Sequence, residues 1–434
     1  MVLAVMGCGG SGTTHVATPT ETRVVIHATQ PPVIAPLEKP ATATPATPTT
    51  TTVRFLTNTV LRKEPRANAA KVGIIRKDAR AAQRTTAIAD GCKDDRWIQI
   101  VPRGWACESA IEVSSEQPTT GASVTLDAID DGEPVPGVYG RVRGADVSTS
   151  VRAAAVVTID GARYWRTSGG ALIPAAAIVQ FSPSKFRGIA LDKTTSMPAW
   201  VRGRSDSRKS VRTYEAPRGK IAGELAPRTI VHVLEESADG VFVRVADDVW
   251  VARKDLRVAS RTTPPVGTGP TEKWFDVDRD EQVLVAYEGD QPVYATMVST
   301  GKWGHATPTV ITRVSSKLLT ASMNNDRGDE QYAVADVPWT MYYDNSYALH
   351  TSYWHDGFGG PRSHGCVNLA PRDARLLYQW SSPDVPPGWI AVYGDQDNPG
   401  SLVRVRSRSM PEPKFRGYAK ALRDRDRNVA ATTN

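Results

Sequence analysis

The sequence repeats a plan of short alternating strands. "VLRKEPRANAAKVGIIRKDARAAQ" leads into "DDRWIQIVPRGWACESAIEV", and much later "VRTYEAPRGKIAGELAPRTIVHVL" leads into "DGVFVRVADDVWVARKDLRV". Each copy opens on a strand-like run, turns at a Pro, carries a Gly within an apolar run, and closes on a Trp-bearing segment that ends in an apolar position. Alternation with a period of two puts apolar side chains on one face of a strand, and runs this short between turn residues suit strands better than helices. A unit that recurs within one chain is a structural module. The chain is therefore expected to be mainly β and built from small β units.

The two copies, taken as 53–115 and 207–260, resemble the bacterial SH3-like domain, a compact barrel. That resemblance implies that Trp105 and Trp250 are core residues. Between the copies, 123–206 again alternates around "VVTIDGARYWRTSGGALIPAAAIVQF" and is expected to be a further, divergent β unit of the SH3-like kind.

A third folded segment is expected over 271–396. Its opening reads as a hairpin, "QVLVAYE" and "QPVYATMVS" flanking a Glu-Gly-Asp turn,. β-branched and aromatic residues continue through "EQYAVADVPWTMYYDNSYALHTSYW". Only "APRDARLLYQW", residues 370–380, carries helical spacing, with Pro371 and Asp373 in its first turn,.

Just before that helix stands "SHGCVN", residues 363–368. Cys366 lies among hydrogen-bonding and proton-transferring groups, unlike a structural thiol with apolar neighbours. A cysteine nucleophile needs a base, a group to orient the base, and donors for the developing oxyanion. His350, sixteen residues upstream, is the candidate base, and Thr351 can hold its second ring nitrogen through carbonyl or hydroxyl. The backbone N–H groups of His364, Gly365 and Cys366 are the candidate oxyanion donors.

"ALHTSYWHDGFGGPRSHGCVNL" resembles the active-site signature of the L,D-transpeptidase (YkuD) catalytic domain, with His350, Ser363, His364, Gly365 and Asn368 matching around Cys366. The resemblance implies that Cys366 attacks the third residue's carbonyl in a peptidoglycan tetrapeptide stem and releases the terminal D-Ala. His350 would share its proton, and an acceptor amine would resolve the thioester into a 3→3 cross-link. Ser363, Asn368, Tyr353, His355 and Trp339 are expected to contact substrate, and no metal or cofactor is implied. Thr351 stands where the family commonly has Gly. Two rival readings remain: a zinc site from His350, His355, His364 and Cys366, and a non-catalytic peptidoglycan-binding envelope lipoprotein.

At the N-terminus, "MVLAVMGCGGSG" resembles the end of a bacterial lipoprotein signal peptide (1–8), with Cys8 as the lipidated residue,. Residues 9–52 are rich in Pro, Thr and Ala and read as a disordered stalk,. Export to the periplasm and a lipid anchor in the outer membrane follow as expectations. With Cys8 assigned to lipid and Cys366 to chemistry, Cys92 and Cys107 are expected to form a disulfide; two independent buried thiols are the alternative,. No apolar run reaches membrane-spanning length. The 53 Lys and Arg against 46 Asp and Glu, a net charge of +7, are scattered without an interleaved basic and aromatic stripe, so no nucleic-acid partner is expected,. Residues 397–434 read as a basic C-terminal tail.

Overall fold

The computed structural model describes residues 51–92, 95–120, 133–145, 148–202, 210–325 and 330–432. Cys8 and nearly all of the expected stalk lie outside them. The described chain is mainly β.

In the first unit, Thr52–Phe55 lies antiparallel to both Arg80–Cys92 and Ile111–Ser114. Thr59–Arg62 pairs with Lys71–Ile75, and Asp95–Ile100 with Trp105–Cys107. Alternate residues Val53, Phe55 and Leu61 point inward and are buried, as period-two patterning demands. Cys92 and Cys107 are joined in a disulfide with Cα atoms 5.7 Å apart. Trp105 and Trp250 are only half-buried, contrary to their expected place in the cores. Trp97 and Trp200 are the buried indoles of these regions; a Trp in a short strand reads the same in sequence whichever face it occupies.

The first unit does not stand apart. Lys71–Ile75 pairs antiparallel with Trp389–Tyr393, at Gly73↔Val392. A Cβ at Gly73 would collide with the Trp389 ring, so only glycine permits this approach,. Val53, Phe55, Leu61 and Ile75 consequently share one apolar core with Phe275, Leu284, Leu349 and Leu377.

The middle segment divides its strands between neighbours. Ser148–Ile159 runs parallel to Tyr332–Asp344, at Tyr332↔Ser148. Ile189–Ala190 extends the sheet of the C-terminal region beside Gln291–Met297. Ala199–Val201 pairs with Ile230–Val231 and Leu256–Val258, and its Ala199 and Val201 sit in the third unit's core with Val211, Val243 and Val251. A cut at 206 separates these partners.

The C-terminal region holds a six-stranded sheet in the order Ile189–Ala190, Gln291–Met297, Val283–Glu288, Lys273–Asp278, Leu402–Arg406, Val310–Arg313. The Gly289-Asp290 hairpin appears where the turn residues place it. Leu402–Arg406, expected in a tail, runs parallel to Lys273–Asp278 inside the sheet, and Gly417–Thr432 is helical. Arg404 and Asp276, each 1% exposed, are paired there at 2.6 Å. A second sheet joins Ser316–Asn325, Tyr332–Asp344 and Tyr347–Thr351. It ends in Val367–Leu369, parallel to Tyr347–Thr351. The helix Pro371–Trp380 follows, burying Ala374, Leu377 and Tyr378.

Candidate active site

Parallel pairing of Tyr347–Thr351 with Val367–Leu369 sets His350 opposite Asn368. Side chains alternate along a strand, so Cys366, two residues before Asn368, lies on the His350 side of the pair. The backbone of Ala348 reaches the Cys366 thiol, which fixes the sulfur beside the strand that carries His350. Leu349, Val367 and Leu369 fall on the alternate positions and are fully buried. One strand pair thus anchors its apolar residues in the core and carries the candidate nucleophile and base together.

His350 is 2% exposed. Its Nδ1 lies 2.9 Å from the Thr351 carbonyl oxygen. The carbonyl is the orienting group here, and the Thr351 hydroxyl is buried without a hydrogen-bond partner. Burial pulls the imidazole down to about 4, against the opposing hydrogen bond to Thr351. The Cys366 thiol is pushed up to about 11 by burial, with the Ala348 hydrogen bond opposing. Both groups are therefore neutral at pH 7. The sulfur's hydrogen bond is a long one, 3.9 Å to the Ser346 carbonyl. Among the described residues none joins it to the imidazole, and catalytic contacts are often loose before substrate binds.

The loop before Cys366 is shaped by Ser363. Its Oγ donates to the Cys366 carbonyl at 2.5 Å and accepts the Gly365 N–H at 3.1 Å. The Gly365 N–H is thereby engaged, so of the three expected oxyanion donors those of His364 and Cys366 remain. Gly365 has φ +119°, and a Cβ there would run into the Tyr347 ring, so this position requires glycine. The loop is stitched to the segment after Gln291–Met297: Arg362 and Ser363 N–H groups donate to the Thr300 carbonyl, and the Lys302 N–H to that of Ser363.

The other expected substrate contacts are placed differently. Tyr353 is fully buried with Val135, Tyr139 and Val337, its hydroxyl donating to the Ala335 carbonyl at 2.9 Å. Trp339 is 4% exposed in the main core. Ser363 and Asn368 are buried as well. The Gly357 N–H donates to His355 Nδ1 at 3.2 Å, and His355 Nε2 lies 3.1 Å from Asn368 Nδ2. Asn368 thus holds His355 against the strand that follows Cys366. Burial first, then Arg362, pulls His355 down to about 3.

Several contributors were not legible in the sequence. Tyr332, Tyr342 and Tyr343 surround the sulfur closely enough that a thiolate there adds to burial in raising their phenols. The segment 355–360 is braced from outside the C-terminal region. Arg228 donates to the Asp356 carbonyl at 2.7 Å and to its carboxylate at 2.5 Å. Arg257 donates to the Gly359 carbonyl at 2.6 Å. Phe186 stacks on Phe358, with ring centroids 6.2 Å apart, and Phe358 in turn lies 5.1 Å from His355.

Residues 272–405 match the YkuD family, described as the L,D-transpeptidase catalytic domain. No curated protein matches the chain. Similar solved structures include an L,D-transpeptidase (Yku) from Stackebrandtia nassauensis at 24% identity, covering 32% of this chain and 57% of that one, with a TM-score of 0.21. An Enterococcus faecium L,D-transpeptidase mutant is 18% identical over 46% of this chain and 75% of that one, TM-score 0.26. An L,D-transpeptidase from Mycobacterium smegmatis is 17% identical over 62% and 98%, TM-score 0.26. The chain thus spans little more than half of the Stackebrandtia protein. By the family match, residues 272–405 are a YkuD-type L,D-transpeptidase catalytic domain.

Proposed function

We propose that the chain is a cysteine-dependent L,D-transpeptidase that acts on peptidoglycan tetrapeptide stems. The observation that supports this reading is the parallel register that sets His350 opposite Asn368, two residues after Cys366, with Nδ1 of His350 tied to the Thr351 carbonyl. That tie leaves Nε2 with its lone pair free to take the thiol proton. Because thiol and imidazole are both neutral at rest, proton transfer accompanies attack on the stem carbonyl,.

The sulfur forms a bond to the third residue's carbonyl carbon, and the carbonyl electrons pass to oxygen. The N–H groups of His364 and Cys366 stabilise that oxyanion. Collapse breaks the amide bond, the imidazolium returns its proton to the departing D-Ala amine, and a thioester remains on Cys366. An acceptor amine, losing a proton to His350, then attacks the thioester and frees the thiol, giving a 3→3 cross-link or a related acyl transfer. In the envelope, Cys8 would supply a lipid anchor and 9–52 a stalk that lets the folded units reach the wall.

Release of D-Ala from purified tetrapeptide stems tests the reading. The wild-type chain should release it, while Cys366→Ala and His350→Ala should not. D-Ala release that survives Cys366→Ala would overturn the cysteine mechanism, and no release by wild type while the chain still binds peptidoglycan would favour a non-catalytic wall-binding protein.

A further inference from the structure

Three ligand-type side chains meet at the edge of the catalytic loop, where the acyl-transfer machinery makes no use of them. His364 Nε2 lies 2.8 Å from a Glu330 carboxylate oxygen. Its ring stands edge-on to that of His305, with centroids 4.6 Å apart. One ligand atom from each of His305, Glu330 and His364 lies within 4.8 Å of the others.

The backbones that carry them are fixed independently of any ion. The His305 N–H donates to the Lys302 carbonyl and the Lys302 N–H to the Ser363 carbonyl, each at 2.9 Å, which ties the His305 turn to the loop bearing His364. The Asn325 side-chain amide holds the Glu330 carbonyl at 2.8 Å. One cation already stands against the Glu330 carboxylate, the ammonium of Lys302.

We propose that His305, Glu330 and His364 form a site for one divalent transition-metal ion of the zinc class, beside the loop that leads to Cys366. Two imidazole nitrogens and a carboxylate oxygen are the donor set such ions take, at bond lengths of about 2.0 to 2.2 Å. Ligand atoms on one tetrahedral ion stand about 3.3 Å apart at those lengths, so on loading the widest pair, now within 4.8 Å, closes by roughly an ångström while the His364–Glu330 contact opens slightly from 2.8 Å. His305 and Glu330 are exposed and His364 half-buried, which lets the ion enter from solvent and keeps a position open for water. Loading displaces the Lys302 ammonium from the carboxylate and clips the His305 turn to the loop two residues from the nucleophile. The site requires nothing of Cys366 or His350, so its existence does not depend on the transpeptidase reading.

The test is calorimetric titration of zinc chloride into the full chain carrying Cys8→Ala and Cys366→Ala, so that neither of these thiols competes. One ion per chain is expected. His305→Ala and Glu330→Gln should each weaken binding by about tenfold or more. Lys302→Gln should strengthen it, because the competing ammonium is gone, and a gain of affinity cannot come from a damaged fold. Absence of zinc binding, binding indifferent to His305→Ala and Glu330→Gln, or weaker binding in Lys302→Gln would overturn the proposal.

Discussion

The Nδ1 of His350 lies 2.9 Å from the carbonyl oxygen of Thr351, and this contact decides which ring nitrogen can act as a base. With Nδ1–H donating, Nε2 keeps its lone pair. The imidazole stays neutral until pH falls to about 4, and the thiol stays protonated until pH rises to about 11. In the free enzyme, the acid limb of kcat/KM should therefore fall near pH 4 rather than near the ordinary imidazole value. Alkylation of Cys366 by iodoacetamide at pH 7 should be roughly a hundredfold slower than that of a free cysteine and keep rising into the alkaline range. An alkylation inflection near pH 6 would instead reveal a thiolate–imidazolium pair at rest.

The same burial links the site to stability. His350 and His355 are held neutral, down to about 4 and about 3, whereas an unfolded histidine protonates near 6.5. Between those values the unfolded chain binds more protons, so stability falls as pH drops from about 6.5 toward 4 and the His350 contribution then levels off. For His350 the total is on the order of 3 kcal/mol. Denaturant titrations at a series of pH values should show this slope, and His355→Gln should flatten it.

Gly365→Ala should abolish turnover, because the added methyl meets the Tyr347 ring and φ +119° is unfavourable to any other residue,. The loop must then shift, breaking the Gly365 to Ser363 hydrogen bond. Circular dichroism should remain native while D-Ala release is lost; near-normal release would show that the loop tolerates another shape.

Arg228→Ala removes two charge-assisted hydrogen bonds to Asp356 and the cation over Phe186. The expected cost is about 1 to 3 kcal/mol. Amide hydrogen exchange should quicken over 355–360, and turnover should fall through the loosened segment. Exchange confined to the 211–258 unit would show that the brace is not coupled to the loop.

How much of this was legible follows from the range of each signal. Period-two alternation is local, so the β character, the Gly289-Asp290 hairpin and the helix Pro371–Trp380 stood in the sequence. His350 and Cys366 are singled out by residue type and spacing, and the strand bearing His350 pairs in parallel with the one that follows Cys366. Leu402–Arg406 reads as part of a basic tail in sequence; only the buried partner Asp276 makes Arg404 an interior residue. Trp339 and Tyr353 were read as groove-lining, since an aromatic in a strand gives no sign of which face meets solvent. The Arg228 to Asp356 brace spans 128 positions and has no sequence signature.

The proposed reaction passes through an acyl-enzyme on Cys366. Intact-protein mass spectrometry after incubation with tetrapeptide-bearing muropeptides measures it directly. An adduct equal to the substrate less D-Ala is expected, located on Cys366 by peptide mapping and discharged by an added acceptor amine. An unmodified Cys366 under conditions where D-Ala is released, or an adduct that maps elsewhere, would contradict it.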